Sequence, residues 1–233
     1  MAWVGRGKQD VAEVVYDEAR WELLRRLRER AAEVMRALAE CGIPSITHGS
    51  IARGDVRPGS DVDVVVPFPV APSRLVACLE LKGFRVYRAC VVQATPAHTP
   101  KVYYDLDYEG RTVVSHPLKE LSPREREFYR FGGEVDLETL LRGVRVPGVS
   151  KELKLIVPTD FGHLEYPVIG NEHYVASVVG VSPETVMERV RILRRRAEIG
   201  RTGVYLEECV GPEETVEGLI AKLVKAGRLR LSL

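Results

Sequence analysis

The chain has 233 residues, 45% of them hydrophobic, so it can bury one large core or two smaller ones, and we expect two. Its formal net charge of +1 provides no global field to draw it onto nucleic acid or an anionic membrane, so any such binding needs a local patch. No stretch approaches the roughly 18 apolar residues of a membrane span, which predicts a cytoplasmic protein without membrane contact.

Cys41, Cys78, Cys90 and Cys209 are far apart and form no CxxC pair. This spacing signals neither a zinc site nor a disulfide framework, and buried reduced thiols are the expectation. Asn171 is the sole asparagine, and Gln9 and Gln93 are the sole glutamines, beside 29% charged residues. Few thermolabile amides with abundant charge are the composition of a thermophile.

In chain order, residues 9–40 contain no proline or glycine, and Leu24, Leu27, Ala31, Val34, Met35 and Leu38 recur at three and four, predicting one long amphipathic helix. Its arginines alternate with glutamates and read as a solvated face. Residues 44–48 read as a short strand, 51–56 as a helix, and Arg57-Pro58-Gly59-Ser60 as a turn. The β-branched run from Val62 to Val66 is a strand ended by Pro67. A helix at 73–82, a strand at 84–92, a loop at 94–101 and a hairpin of 102–108 with 111–115 around Glu109-Gly110 follow. Ser122-Pro123-Arg124-Glu125 is a capping box opening a short helix, and the first domain is expected to end near Gly132-Gly133.

Strands are expected at 151–157 and 166–169. In VASVVGVSPETVMERVRILRRR, Ala176, Gly180 and Val186 have helix-turn-helix spacing, with Ser182 as N-cap and Pro183 at the first position of the second helix. Strands at 204–207 and 228–231 around a helix at 213–226 complete a winged-helix-like region, with Gly200-Arg201-Thr202-Gly203 starting a wing. Arg189, Arg194, Arg195, Arg196 and Arg201 crowd the end of the second helix, as a phosphate-backbone footprint would. Cations at a helix C-terminus are also favoured by its dipole, so the patch reads equally as structural.

The chemistry concentrates in HGSIARGDVRPGSDVDVVV, residues 48–66. Asp61 and Asp63 lie two apart on a strand, about 6.5 to 7 Å along the backbone, and so share a face. Adjacent carboxylates repel unless a cation lies between them, and an oxygen-rich pair suits Mg²⁺; two ions about 3.5 to 4 Å apart can be bridged by such a pair. Gly49 permits close approach of a ligand, Ser50 adds a hydroxyl, and the start of the following helix offers N–H groups to phosphate. Arg53, one turn further, is a candidate phosphate clamp, and Ser60 a further nucleotide contact. Asp55 reads as a partner of Arg53 or Arg57, or as a cap on the local backbone.

This GSxARG, spacer, SDxD pattern resembles the DNA polymerase β-like nucleotidyltransferase superfamily in its minimal prokaryotic and archaeal form. The resemblance, firm over residues 40–70 and looser to about 120, implies an α+β fold: a palm-like mixed β-sheet with flanking helices over residues 1–135, its catalytic sheet at 44–116. The spacing in the C-terminal region adds a smaller helix-turn-helix-like α+β domain over 145–233. The resemblance also implies that Gly49 and Ser50 hold the triphosphate of an NTP, ATP first among them, and that Asp61 and Asp63 ligate two Mg²⁺ ions. The superfamily takes a third carboxylate from a neighbouring strand, for which Asp105 and Asp107 in VYYDLDY are both candidates. The implied reaction transfers a nucleoside monophosphate to a hydroxyl acceptor with release of pyrophosphate. Alternatives are an inactive, nucleic-acid-binding regulator of the same fold, and an antitoxin-like protein that transfers AMP to a protein partner. Self-association stays open.

Overall fold

The computed structural model describes residues 11–200 and 203–231. Among the described residues, eleven strands form two sheets. In chain order the elements are β1 (Ala12–Val15), α1 (Glu18–Glu40), β2 (Ile46–His48), α2 (Ser50–Arg53), β3 (Val62–Val65), α3 (Pro72–Leu81) and β4 (Arg88–Gln93). Then come β5 (Lys101–Asp105), β6 (Thr112–Pro117), α4 (Pro123–Phe131), β7 (Glu134–Asp136), α5 (Leu137–Leu141) and β8 (Gly148–Val149). The chain closes with β9 (Lys154–Thr159), β10 (Gly162–Pro167), α6 (Glu172–Val179), α7 (Pro183–Ile199), β11 (Leu206–Cys209) and α8 (Val216–Lys225).

The larger sheet has the order β11-β4-β5-β6-β3-β2-β7, mixed because β3 and β6 run parallel while its other neighbours are antiparallel. Alternation along each strand gives it two different faces. Val62 and Val64 of β3, Val102 and Tyr104 of β5, and Val114 of β6 point into one core with Leu24, Ala31, Met35 and Leu38 of α1 and Leu75 and Leu79 of α3. The residues between them, including Asp63, face the other side, which α4 covers in part through Tyr129 against Ile46 and Val65. The polar site therefore occupies the sheet face that the long helix does not.

Helix α1 begins at Glu18, not at residue 9, with Asp17 as N-cap accepting from the Arg20 N–H at 2.8 Å. The segment before it is strand β1, paired to β10. Val14 and Val15 are β-branched, and the Asp17 cap offers the backbone a clean stop between strand and helix. The capping box at Ser122 and Glu125 opens α4 as expected. Ser182 caps α7, and Gly180 joins α6 to α7 in the left-handed region at φ 68°.

The smaller sheet, β1-β10-β9-β8, packs with α6 and α7 around Leu155, Val168, Val175, Val186 and Val190. The elements do not follow the expected boundary near 135–145. β1 belongs to the smaller sheet, β7 pairs with β2, and β11 pairs with β4 while Leu219 and Leu223 of α8 enter the larger core. No wing flanks α7 among the described residues, because β11 crosses to the larger sheet and residues 228–231 form no strand. All four cysteines are paired, Cys41 with Cys78 and Cys90 with Cys209, which corrects the expectation of free thiols. The partners lie 37 and 119 residues apart, so local spacing could not reveal them.

Candidate active site

Each end of the site is built by a local device. Gly49 links β2 to α2 at φ 76°, a left-handed backbone with open space around its Cβ position. Its own N–H donates to the Gly133 carbonyl at 2.9 Å, and the Arg53 and Gly54 N–H groups donate to the Gly49 and Ser50 carbonyls, which leaves the N–H groups of Ser50, Ile51 and Ala52 as the free donors of that turn. The Arg57–Ser60 turn then reverses the chain into β3, closed by the Arg57 N–H donating to Ser60 Oγ at 2.9 Å. Ser60 Oγ thus builds the turn that aims Asp61 and Asp63.

Asp61 is exposed at the mouth of the strand and Asp63 is half-buried. Burial raises the pKa of both, and for Asp61 the neighbouring charge of Asp63 adds to the shift. Neither carboxylate has an ion-pair partner within 4.0 Å among the described residues. The cation whose charge reaches both is Lys151, with Arg111 also acting on Asp61. Two hard oxygen ligands short of positive charge and open to water on one side are a donor set that could hold a Mg²⁺ ion.

The VYYDLDY candidates separate clearly. Asp107 caps the hairpin, accepting from the Arg111 and Thr112 N–H groups at 2.7 and 2.8 Å, and these bonds outweigh its desolvation and lower its pKa. Asp105 shares the face of Asp63, but on the second strand away: Asp63 pairs with Val113, and Val113 with Asp105. It is held by Arg88 Nε at 2.6 Å. The strand beside β3 is β6, and it offers Val113 where a third carboxylate would stand. Among the described residues no group of three or more His, Cys, Asp or Glu side chains is placed to hold one metal ion.

Arg53 departs from the role expected of it. Its guanidinium forms a two-pronged pair with Asp55, at 2.9 Å on each arm, and donates to the Gly132 carbonyl at 2.6 Å. Both side chains are buried, so Arg53 ties α2 to the backbone around Gly132 instead of presenting a charge to phosphate. Asp55 is its partner, as the local sequence suggested.

The floor and wall of the cleft hold Tyr103 and Lys101, which the sequence did not single out, and His48, which it placed at the edge of the site. Tyr103 shares the Asp63 face, and burial with the Asp63 charge raises its pKa to about 12. Lys101 Nζ donates to Tyr129 Oη at 2.8 Å. The His48 ring meets Phe128 and Tyr129 edge-on, and burial followed by the charges of Lys101 and Arg53 lowers its pKa to about 4, keeping it neutral. Alternation along residues 101–105 carried the signal for Lys101 and Tyr103; nothing local carried one for Lys151.

The arginines of α7 divide. Arg189 turns inward with its guanidinium 4.8 Å from the Phe128 ring, whereas Arg194, Arg195 and Arg196 are exposed. Arg201 lies outside the described residues. No described helix is long and apolar enough to cross a membrane. A family model described as nucleotidyltransferase domain matches residues 28–146, just over half of the 233-residue chain. No curated protein and no solved structure matches the chain.

Proposed function

Because the chain belongs to the nucleotidyltransferase domain family, we propose that it transfers a nucleoside monophosphate from an NTP to a hydroxyl acceptor and releases pyrophosphate. The observation that supports this most is the pair Asp61 and Asp63 on one sheet face, both with raised pKa and no ion-pair partner, beside the open Gly49-Ser50 turn.

In this reading Ser50 and the N–H groups that follow it bind the terminal phosphates, and Asp61 and Asp63 hold Mg²⁺. The ion supplies neutralisation of the phosphate charge when bound. The acceptor oxygen bonds to the α-phosphorus, the bond from that phosphorus to the bridging oxygen breaks, pyrophosphate leaves, and the hydroxyl proton passes to water. Asp61 and Asp63 would hold the ion that offsets the phosphate charge, and the sheet fixes their spacing, so the chain contributes mainly positioning and electrostatics. ATP is the first donor to try. Pyrophosphate release by wild type and Asp61→Ala tests this, and equal release would refute it.

One observation favours a second reading. Val113 on β6, with Asp105 held by Arg88 one strand further, leaves the carboxylate pair without a third member. A chain that binds NTP without turning it over would act as a nucleotide-responsive regulator, with exposed Arg194, Arg195 and Arg196 contacting DNA or RNA. Charge reversal at those three positions would then abolish a salt-sensitive gel shift.

A further inference from the structure

With Arg53 committed to Asp55, the phosphate side of the cleft lacks the cation that the sequence assigned to it. The turn between β8 and β9 supplies another. It is pinned from three directions: the Arg53 guanidinium also donates to the Val149 carbonyl at 3.4 Å, Arg57 pairs with Glu152 at 3.1 Å, and the Ser150 N–H donates to the Lys154 carbonyl at 2.8 Å. Gly148 lies so close to Gly132 and Gly133 that a Cβ there would come within 2.5 Å of the Gly133 nitrogen. Gly133 in turn accepts from the Gly49 N–H. The turn is therefore fixed between the Gly49-Ser50 loop on one side and the Arg57–Ser60 turn on the other.

Lys151 sits at the centre of this turn. It forms no ion pair among the described residues, although its two neighbours are engaged: Glu152 with Arg57, and Ser150 in the turn itself. Its charge reaches Asp61, Asp63 and His48, yet among the described residues it meets no carboxylate within 4.0 Å. A lysine ammonium, a compact point charge with three rotatable donors, suits the shifting oxygens of a triphosphate end.

We propose that Lys151 binds the β- and γ-phosphates of the donor nucleotide, so that the smaller-sheet region, beyond the matched 28–146 segment, completes the site. This rests on the nucleotidyltransferase reading. The assignment predicts that Lys151 discriminates by phosphate number, because only a triphosphate extends from the Asp61 and Asp63 pair toward the turn.

The test is calorimetric titration of ATP and of AMP, each with Mg²⁺, into wild type, Lys151→Met, Lys151→Arg and Lys154→Met. Lys151→Met should weaken ATP binding by about 10- to 100-fold, the range for loss of a charged hydrogen bond, while leaving AMP binding unchanged. Lys151→Arg should recover most of the loss, and Lys154→Met, whose lysine pairs with Glu165, should bind as wild type. ATP affinity unchanged in Lys151→Met would overturn the role of Lys151 alone, as would equal weakening of ATP and AMP. Absence of ATP binding by wild type would overturn the nucleotidyltransferase reading, and the role of Lys151 with it.

Discussion

Asp63 is disfavoured in its charged form in the folded chain, because burial raises its pKa above that of an unfolded aspartate. The folded state then holds its proton to higher pH than the unfolded state does. Stability is lost as pH rises through that window, and the penalty is fully present at neutral pH. Asp63→Asn should therefore raise the Tm of the metal-free protein, by about 2–4 °C if the penalty is near 1 kcal/mol, and should reduce the further rise that Mg²⁺ gives wild type. Scanning calorimetry with and without Mg²⁺ measures both. His48 and His116 carry the opposite sign: burial lowers each to about 4, below the ordinary 6.5. The unfolded chain takes up these protons first, so their contribution is complete above about pH 6.5 and declines as pH falls toward 4. Urea midpoints should fall between pH 6.5 and 5, before most carboxylates titrate, and proton NMR titration of either ring near pH 6.5 would contradict this. At this scale the placement of Asp61, Asp63, Gly49 and Ser50 was legible, because their spacing on strand and turn is local. The sequence misplaced Arg53, because the carbonyl of Gly132 that claims its guanidinium lies 79 residues away.

Helix α2 is only four residues long, too short to persist by its own hydrogen bonds, and the Arg53 and Asp55 pair anchors it to the wall around Gly132. Removing one member leaves the other buried and charged. Arg53→Met should destabilise the chain by about 3–5 kcal/mol, and Arg53→Met/Asp55→Asn by less, as measured by urea denaturation; a costlier double variant would refute the pairing argument. The same scale explains which elements were legible. Strand β3 and the β5–β6 hairpin announce themselves by β-branched residues, alternation and a glycine turn. Strands β7 and β8 have three and two residues, below the length at which a period can be seen, and their pairing partners are distant. The sequence reads β1 as part of the helix that follows because Val11, Val14 and Val15 stand at the i, i+3, i+4 spacing of a helix, and a strand of four residues is too short to show alternation.

The whole molecule is tied together by returns of the chain that no local pattern contains. β1 runs to the smaller sheet, β11 and α8 run back to the larger one, and Cys90–Cys209 fastens that return across a separation of 119 residues. Loop-closure entropy makes long crosslinks the more stabilising, at about 4 to 5 kcal/mol each for these two lengths. Full reduction should lower the Tm by about 10 °C or more for a chain of this size, and an unchanged Tm would show that the crosslinks do not restrain the unfolded chain. The fold brings Gly49-Ser50, Asp61 and Asp63 to one face, and we propose that this face transfers nucleotides. The most direct measurement incubates α-labelled ATP and Mg²⁺ with wild type or Asp63→Asn and an extract containing RNA, proteins and small metabolites. The account predicts labelled acceptor and released pyrophosphate with wild type and at least about a 100-fold loss in Asp63→Asn. Equal labelling by the two proteins would contradict it.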